Sequence, residues 1–199
     1  MHKANKTTVS TLSHFLINPK PKDQVWIKPP NCGPLVFHRD STYFDFEPSD
    51  VITVWISFDD LLGEEGKKKG PLEYVARSHL WSQKRGSANQ FFSSNYKSLV
   101  EKAAKEEGLH PKDLQFTTVS IPAGGCSVHN GKTWHGSGPN VSPDGFRRGM
   151  GLHFVPSNAK FSENKKIGKL WIKYKSEASN DLPDDLMPVT FTNQKIVEN

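Results

Sequence analysis

The 199-residue chain has little cysteine: Cys32 and Cys126 are its only two, and they do not form a C-x-x-C pair. Two separated thiols exclude a disulfide framework and predict a reducing, intracellular compartment. No apolar run approaches the roughly 18 residues of a membrane span, and the N-terminus lacks the apolar core of a signal peptide. The last residues, Ile196–Asn199, are not a peroxisomal tripeptide. We therefore expect a cytoplasmic protein without a membrane span.

Acidic residues are in the minority, with 21 Asp and Glu against 26 Lys and Arg, so the formal net charge is +5. This excess favours anionic partners in general. Several lysines surround Trp171 and Tyr174, a pattern found in some nucleic-acid grooves. A solvated basic face explains the pattern more simply, so we do not expect a nucleic-acid partner. The sequence leaves the oligomeric state open.

Internal repeats and low-complexity tracts are absent, while five Trp, four Tyr and twelve Phe supply a core. The length is typical of one domain. Residues 1–23 are polar and end in a breaker cluster, Asn18-Pro19-Lys20-Pro21. We interpret residues 1–23 as a polar N-terminal segment, the remnant of a longer N-terminal region, and residues 24–199 as one domain.

Short strands with turns between them dominate the pattern. Val51 to Phe58 alternates with period two, as does Arg148 to Val155. Asn130-Gly131 is typical of a tight turn and predicts a hairpin between Cys126–His129 and Thr133–His135.

One helix is predicted over Asn95–Glu107, ended by Gly108, and Glu64–Gly70 is predicted as a charged loop. Many short strands with a single helix are typical of an antiparallel barrel or jelly roll.

Three side chains form a candidate metal site: His38, Asp40 and His135. Residues i and i+2 of a strand project from one face, so His38 and Asp40 are expected to point together into the barrel mouth. Two imidazoles and one carboxylate on one side of a cation form the facial triad of non-heme Fe(II) sites. The triplet alone decides little, because chance supplies about 0.4 His-x-Asp triplets in such a chain. The Gly136–Asn140 loop after His135 could rim an open site.

An arginine downstream of His135 adds to this pattern, because a guanidinium suits bidentate capture of a dicarboxylate. Arg147 and Arg148 are both candidates, and neighbouring strand residues face opposite sides. Arg147 is favoured because it shares a face with Gly149 and Gly151, which leave room for a cosubstrate.

Other residues with reactive or bulky side chains receive structural interpretations. His79, His129 and His153 are interpreted as structural or exposed rather than as ligands. Cys126 is interpreted as a buried strand residue. Composition alone places Trp55 in the core.

In the order and spacing of several sequence motifs, the chain resembles the phytanoyl-CoA dioxygenase family of Fe(II)/2-oxoglutarate oxygenases. The resemblance covers about residues 24–190. The matching stretches are Trp26–Pro30, His38-Arg39-Asp40 with Tyr43-Phe44, Val54-Trp55-Ile56, Gly70-Pro71-Leu72, Ser78-His79, Trp134–Asn140, Phe146-Arg147-Arg148 and Asp185–Val189.

The resemblance implies a mainly β fold, a double-stranded β-helix (a cupin-like jelly roll) with few flanking helices, in which His38, Asp40 and His135 hold iron. It places Arg147, helped by Ser137, on the distal carboxylate of 2-oxoglutarate. Trp55 and Gln24 fall on positions that line the cosubstrate in the family.

The implied reaction is the oxidation of 2-oxoglutarate by dioxygen to succinate and carbon dioxide, coupled to hydroxylation of a small or lipid-like organic substrate. An acyl-CoA or a secondary metabolite is the expected substrate class. No catalytic residue beyond the metal site is predicted.

The chain departs from the family at two places. Ala76-Arg77-Ser78-His79 stands where the family usually has Pro-Gly-Ser-His, and only 23 residues precede Gln24, so part of the N-terminal sheet layer is expected to be missing. The alternative function is therefore a truncated, non-catalytic member that acts as a metal-binding or interaction module. A cupin-like isomerase or storage protein with another metal is a further alternative, since fold similarity alone does not separate the two.

Overall fold

A computed structural model describes residues 15–17, 24–82, 86, 92–184, 187–192 and 195–196. The strands are β1 (Phe15–Ile17), β2 (Gln24–Lys28), β3 (Leu35–His38), β4 (Phe46–Glu47), β5 (Ile52–Ser57), β6 (Leu72–Val75), β7 (Phe116–Thr118), β8 (Cys126–Asn130), β9 (His135–Ser137), β10 (Arg147–Pro156), β11 (Lys160–Phe161), β12 (Val189–Thr192) and β13 (Lys195–Ile196). The α-helices are α1 (Gly63–Lys68) and α2 (Ser98–Glu106), and 3-10 helices cover Asp40–Tyr43, Ser78–Leu80, Pro111–Asp113 and Ile172–Tyr174.

Two large antiparallel sheets build most of the domain, and β4 pairs with β11 in a separate two-stranded sheet. Among the described residues, the larger sheet has the order β13-β12-β1-β10-β5-β8, with β2 also paired to β10, and the smaller one has the order β3-β9-β6-β7. Strand β1, from the segment predicted to be polar, pairs with β10 in the larger sheet. The mainly β architecture of antiparallel sheets with few helices confirms the predicted jelly roll.

Strands β5 and β10 form the centre of the larger sheet, with Gly151 opposite Trp55 and Gly149 opposite Ser57. In β5 the alternation is clear: Thr53, Trp55 and Ser57 are buried, while the residues between them are half-buried. The more polar face of this strand therefore points inward. A polar face is suited to this position because it lines a cavity as well as the apolar core.

The predicted hairpin around Asn130-Gly131 is wrong. A turn does form there, with Thr133 N–H donating to Asn130 O at 2.8 Å. However, β8 pairs with β5 in the larger sheet, whereas β9 pairs with β3 and β6 in the smaller one. The turn connects the larger sheet to the smaller one. A local turn motif does not distinguish such a connection from a hairpin.

The predicted helix exists but is shorter at its start, as α2. Its apolar side buries Val100, Ala103 and Ala104, and it ends at Glu106. Gly108 follows two residues later with a φ of +76°, which favours glycine. The predicted charged loop over Glu64–Gly70 is wrong over most of its length, because it holds α1. Two i,i+3 pairs on α1, Lys67 with Glu64 and Lys68 with Glu65, are favourable in helical geometry.

Three apolar clusters support the sheets. The largest packs Phe46, Phe161 and Trp171 at one end of the barrel. A second lies beneath α2 around Phe37 and Trp134, and a third surrounds Trp55. Within the part of the chain that the structure describes, no helix is long and apolar enough to cross a bilayer.

Candidate active site

Three predicted metal ligands converge where β3 ends and β9 begins in the smaller sheet. His38 ends β3 and His135 begins β9, and the two residues are paired in register. One ligand atom from each of His38, Asp40 and His135 lies within 4.8 Å of the others, and all three residues are buried. Asp40 is not on the strand, as the i, i+2 argument assumed. It is the first residue of the 3-10 helix after β3, which turns its carboxylate back toward the histidines.

Backbone carbonyls set the tautomers of both imidazoles. His38 Nδ1 lies 2.8 Å from Val36 O, and His135 Nδ1 lies 3.0 Å from Thr133 O. Because a carbonyl oxygen only accepts, Nδ1 carries the proton in each ring and Nε2 keeps its lone pair. These Nε2 atoms lie 3.7 Å and 3.5 Å from Asp40 Oδ1. Burial lowers the pKa of both histidines to about 4, so both rings are neutral at pH 7.

The other carboxylate oxygen of Asp40 is already bonded. Thr53 Oγ1 donates to Oδ2 at 2.6 Å, and His129 Nε2 lies 3.1 Å from the same atom. A carboxylate oxygen only accepts, so His129 Nε2 donates. Oδ1 is left facing the two imidazole lone pairs. The three oriented donor atoms therefore point to one position.

The charge state of Asp40 follows from its neighbours. Burial alone would raise its pKa, but His135 and His129, joined by His153, hold the pKa well below its usual range. The site therefore presents one carboxylate and two neutral imidazoles at neutral pH. Neutral imidazole and carboxylate donors with remaining open positions suit a divalent transition metal such as Fe(II).

The predicted carboxylate-binding arginine is buried in the same cavity. Arg147 is 2% exposed, and its Nη2 donates to Ser137 Oγ at 3.2 Å. The neighbouring Arg148 has a side chain 52% exposed and binds Asp59 at 2.6 Å. The alternation along β10 thus points Arg147 inward and Arg148 outward.

Trp55 lies beside this arginine, with Arg147 Cζ 5.5 Å from its ring centre. Gly149 makes this position possible, since a Cβ there would lie 2.4 Å from Trp55 Cζ2. The expectation that Gly149 leaves room for a cosubstrate is therefore wrong: the indole fills that space. Gly151, by contrast, lines the cavity.

One cavity is lined both by the three metal-ligand candidates and by the arginine with its neighbouring indole. Its walls include the His38, Asp40 and His135 cluster as well as Trp55 and Arg147. The backbone of Gln24 pairs with Gly151 in the wall of this cavity, but its side chain lies outside the described part of the structure.

Sequence reasoning missed three residues of this region. Thr53 shares a strand face with Trp55, so the alternation of β5 could have indicated it. His129 was interpreted as structural or exposed and not as a ligand; it is buried and bonds Asp40, so the structural alternative holds. Its contact with Asp40 was not predicted, because its place opposite Thr53 depends on the β5–β8 register. Lys28, noted only as part of a motif, is buried and donates to Ser137 Oγ at 3.0 Å and to Gly138 O.

His153 is near the site, with Nε2 3.7 Å from Asp40 Oδ2. Cys126 is exposed, which corrects the prediction of a buried thiol. Its side chain lies at the start of β8, on the face of the sheet opposite the cavity, because Ser127 on the inner face bonds the Tyr74 hydroxyl at 2.8 Å.

Comparison with known families gives a match over most of the chain. The profile of the phytanoyl-CoA dioxygenase (PhyH) family matches residues 2–149. The chain belongs to the phytanoyl-CoA dioxygenase family.

Individual relatives of this phytanoyl-CoA dioxygenase family member are distant. It is 26% identical over 118 residues to a probable alpha-ketoglutarate-dependent hypophosphite dioxygenase of Stutzerimonas stutzeri, covering 58% of this chain and 37% of the relative. Its fold is similar to that of SnoK, an alpha-ketoglutarate-dependent carbocyclase of nogalamycin biosynthesis, with a TM-score of 0.63 at 19% identity over 89% of this chain and 62% of SnoK.

The epimerase SnoN of the same biosynthesis also has this fold, with a TM-score of 0.62 at 18% identity over 89% of this chain and 63% of SnoN. The chain thus spans about two fifths of the curated relative and less than two thirds of these solved structures.

Proposed function

We propose that this protein is an Fe(II)- and 2-oxoglutarate-dependent dioxygenase that hydroxylates a small or lipid-like organic substrate and releases succinate and carbon dioxide. The observation that carries the proposal is the convergence of three oriented donor atoms, from His38, Asp40 and His135, on a cavity that also contains the buried Arg147. Membership of the phytanoyl-CoA dioxygenase family supports the same reaction class.

The three donors fit a non-heme iron. Two neutral imidazole nitrogens and one carboxylate oxygen would hold the metal from one side and leave positions for exchangeable ligands. When bound, Fe(II) with 2-oxoglutarate supplies the activation of dioxygen. The contribution of the chain is to present Nε2 of both histidines through their carbonyl contacts and Oδ1 of Asp40 through Thr53 and His129.

We assign the distal carboxylate of 2-oxoglutarate to Arg147 and Ser137. Arg147 remains a cation at neutral pH, since burial lowers its pKa only to about 10. Trp55 flanks the guanidinium and restricts its orientation, a contact that is favourable between a cation and an indole face. Gln24 is proposed as a further lining residue on the strength of its backbone position opposite Gly151.

Apolar side chains around the cavity limit the access of water to the reacting groups. Trp26, Leu35 and Leu72 line it together with Trp55. A dry, shaped cavity strengthens the electrostatic contacts inside it and suppresses side reactions. An apolar wall is consistent with an organic substrate such as an acyl-CoA or a secondary metabolite.

The test measures succinate formed from 2-oxoglutarate under air by the Fe(II)-loaded protein. We expect slow succinate formation without added substrate, and its loss in His135→Ala. His79→Ala, which removes an exposed imidazole, is the matched control and should keep the activity. Metal binding without succinate formation in the wild type would instead favour a non-catalytic metal-binding module. Incubation of an acyl-CoA panel under ¹⁸O₂ then tests hydroxylation, since a hydroxylated product gains labelled oxygen.

A further inference from the structure

Besides Arg147, a second buried basic side chain contacts Ser137. Lys28, on β2, is 5% exposed and donates from Nζ to Ser137 Oγ at 3.0 Å. Arg147, on β10, donates to the same oxygen at 3.2 Å. The hydroxyl of Ser137 accepts from both cations, so its own proton is left for another acceptor.

These two cations have no carboxylate partner among the described residues. Their hydrogen bonds go to the hydroxyl of Ser137 and, from Lys28, to a backbone carbonyl. Arg147 Nε is buried and has no hydrogen-bond partner within the described part of the chain. Two buried cations are costly without a compensating anion. The arrangement is therefore suited to a ligand that brings its own negative charge.

We infer that Lys28 and Arg147 together bind the distal carboxylate of the oxo-acid cosubstrate, with Ser137 bridging the two cations. The inference rests on the proposed function and adds to it a specificity-determining residue: Lys28 makes the site select dicarboxylates over oxo acids that lack the second carboxylate. Charge-assisted bonds from an ammonium and a guanidinium are stronger than those between neutral groups.

The charge state of Lys28 is consistent with this role. Burial, followed by the nearby charge of Arg147, lowers the pKa of Lys28 to about 7, while Cys32 and Glu73 act in the opposite direction. An anion placed between the two cations favours the protonated amine. Binding of a dicarboxylate near pH 7.5 should therefore be accompanied by proton uptake.

The test compares two ligands on the Mn(II)-loaded protein by calorimetry at about pH 6.5: 2-oxoglutarate, and 2-oxobutyrate, which has no distal carboxylate. Lys28→Met should raise the Kd of 2-oxoglutarate by about 10- to 100-fold, as expected for loss of one partner of a buried charged contact. It should change the Kd of 2-oxobutyrate less than about threefold. Lys28→Arg should restore much of the affinity, and Lys160→Met, which removes an exposed lysine paired with Asp181, is the control.

A purely structural role for Lys28 predicts different results. Lys28 also joins β2 to the backbone at Gly138, so a structural lysine would lower the melting temperature of the ligand-free Lys28→Met protein and weaken both ligands alike. That result, or an unchanged Kd of 2-oxoglutarate in Lys28→Met, overturns the inference.

The wild-type protein provides a test that does not depend on any variant folding. Titrations near pH 7.5 in two buffers of different ionisation enthalpy should show proton uptake with 2-oxoglutarate and little with 2-oxobutyrate. Equal uptake with both ligands overturns the role of Lys28. If the wild type binds neither oxo acid, the proposed function itself fails, whereas binding of 2-oxoglutarate without proton uptake contradicts only the inference.

Discussion

Replacing Thr53 by valine should weaken metal binding while the fold remains intact. Thr53 is buried, and its hydroxyl donates to Asp40 Oδ2 at 2.6 Å. Valine has nearly the same shape but no donor. A hydrogen bond to a charged group contributes about 1.5–3 kcal/mol, and outer partners of metal ligands change metal affinity about 10- to 100-fold. Since His129 still bonds Oδ2 at 3.1 Å, we expect the lower end, about a tenfold rise in the Kd of the metal.

The assay is a calorimetric titration of the metal-free protein with Mn(II), alongside urea unfolding of the same samples. Thr53→Ser keeps the hydroxyl and should bind metal nearly as the wild type does. Thr117→Val makes the same exchange at an exposed position of β7 and is the matched control. If Thr53→Val binds Mn(II) as tightly as Thr117→Val, the hydroxyl does not orient the carboxylate and the reasoning is refuted.

Three further predictions concern glycine packing, backbone strain and pH. Gly149→Ala should cost about 1–3 kcal/mol of unfolding free energy, since the new Cβ would lie 2.4 Å from the Trp55 ring. In the control Gly151→Ala the nearest atom to the new Cβ is 3.6 Å away, so this variant should melt near the wild type. Equal melting temperatures of the two variants would contradict the prediction. Arg77 has a left-handed φ of +62°, so Arg77→Gly should add about 1 kcal/mol in urea unfolding, while Arg77→Ala, which keeps the Cβ, should not. Burial lowers the pKa of Lys28 to about 7, but an unfolded lysine keeps its proton to about pH 10. Above pH 7 the unfolded state thus binds more protons than the folded state. The free energy of unfolding of the wild type, relative to that of Lys28→Met, should therefore rise from about pH 7 to 9, by at most about 1.4 kcal/mol per pH unit. If urea unfolding shows the same difference between the two proteins at every pH, the lowered pKa is contradicted.

The fold class followed from local patterns that survive in the structure. Alternation in β5 and β10 depends only on the period of a strand, so it identified both strands and separated Arg147 from Arg148. The order of the motifs along the chain indicated the phytanoyl-CoA dioxygenase family, which the family match confirms. Arg77 stands where the family usually has glycine, and its φ of +62° lies in the left-handed region that favours glycine.

Several errors arose where a local pattern was used to predict a long-range arrangement. Asn130-Gly131 does form a turn, but the strands on its two sides belong to different sheets. Asp40 reaches the histidines from a 3-10 helix and not from the strand of His38. Cys126 alternates correctly within β8, but it lies on the outer face of the sheet and is exposed.

The sequence by itself determined the residue types available for chemistry, the alternation that turns Arg147 inward, and the family. These depend on side-chain identity and on the two-residue period of a strand, both of which are local. Only the tertiary structure decided that Thr53 and His129 share one oxygen of Asp40, and that Lys28 and Arg147 meet at Ser137. Those contacts depend on the register between strands far apart in the chain, which is set by the packing of the whole barrel.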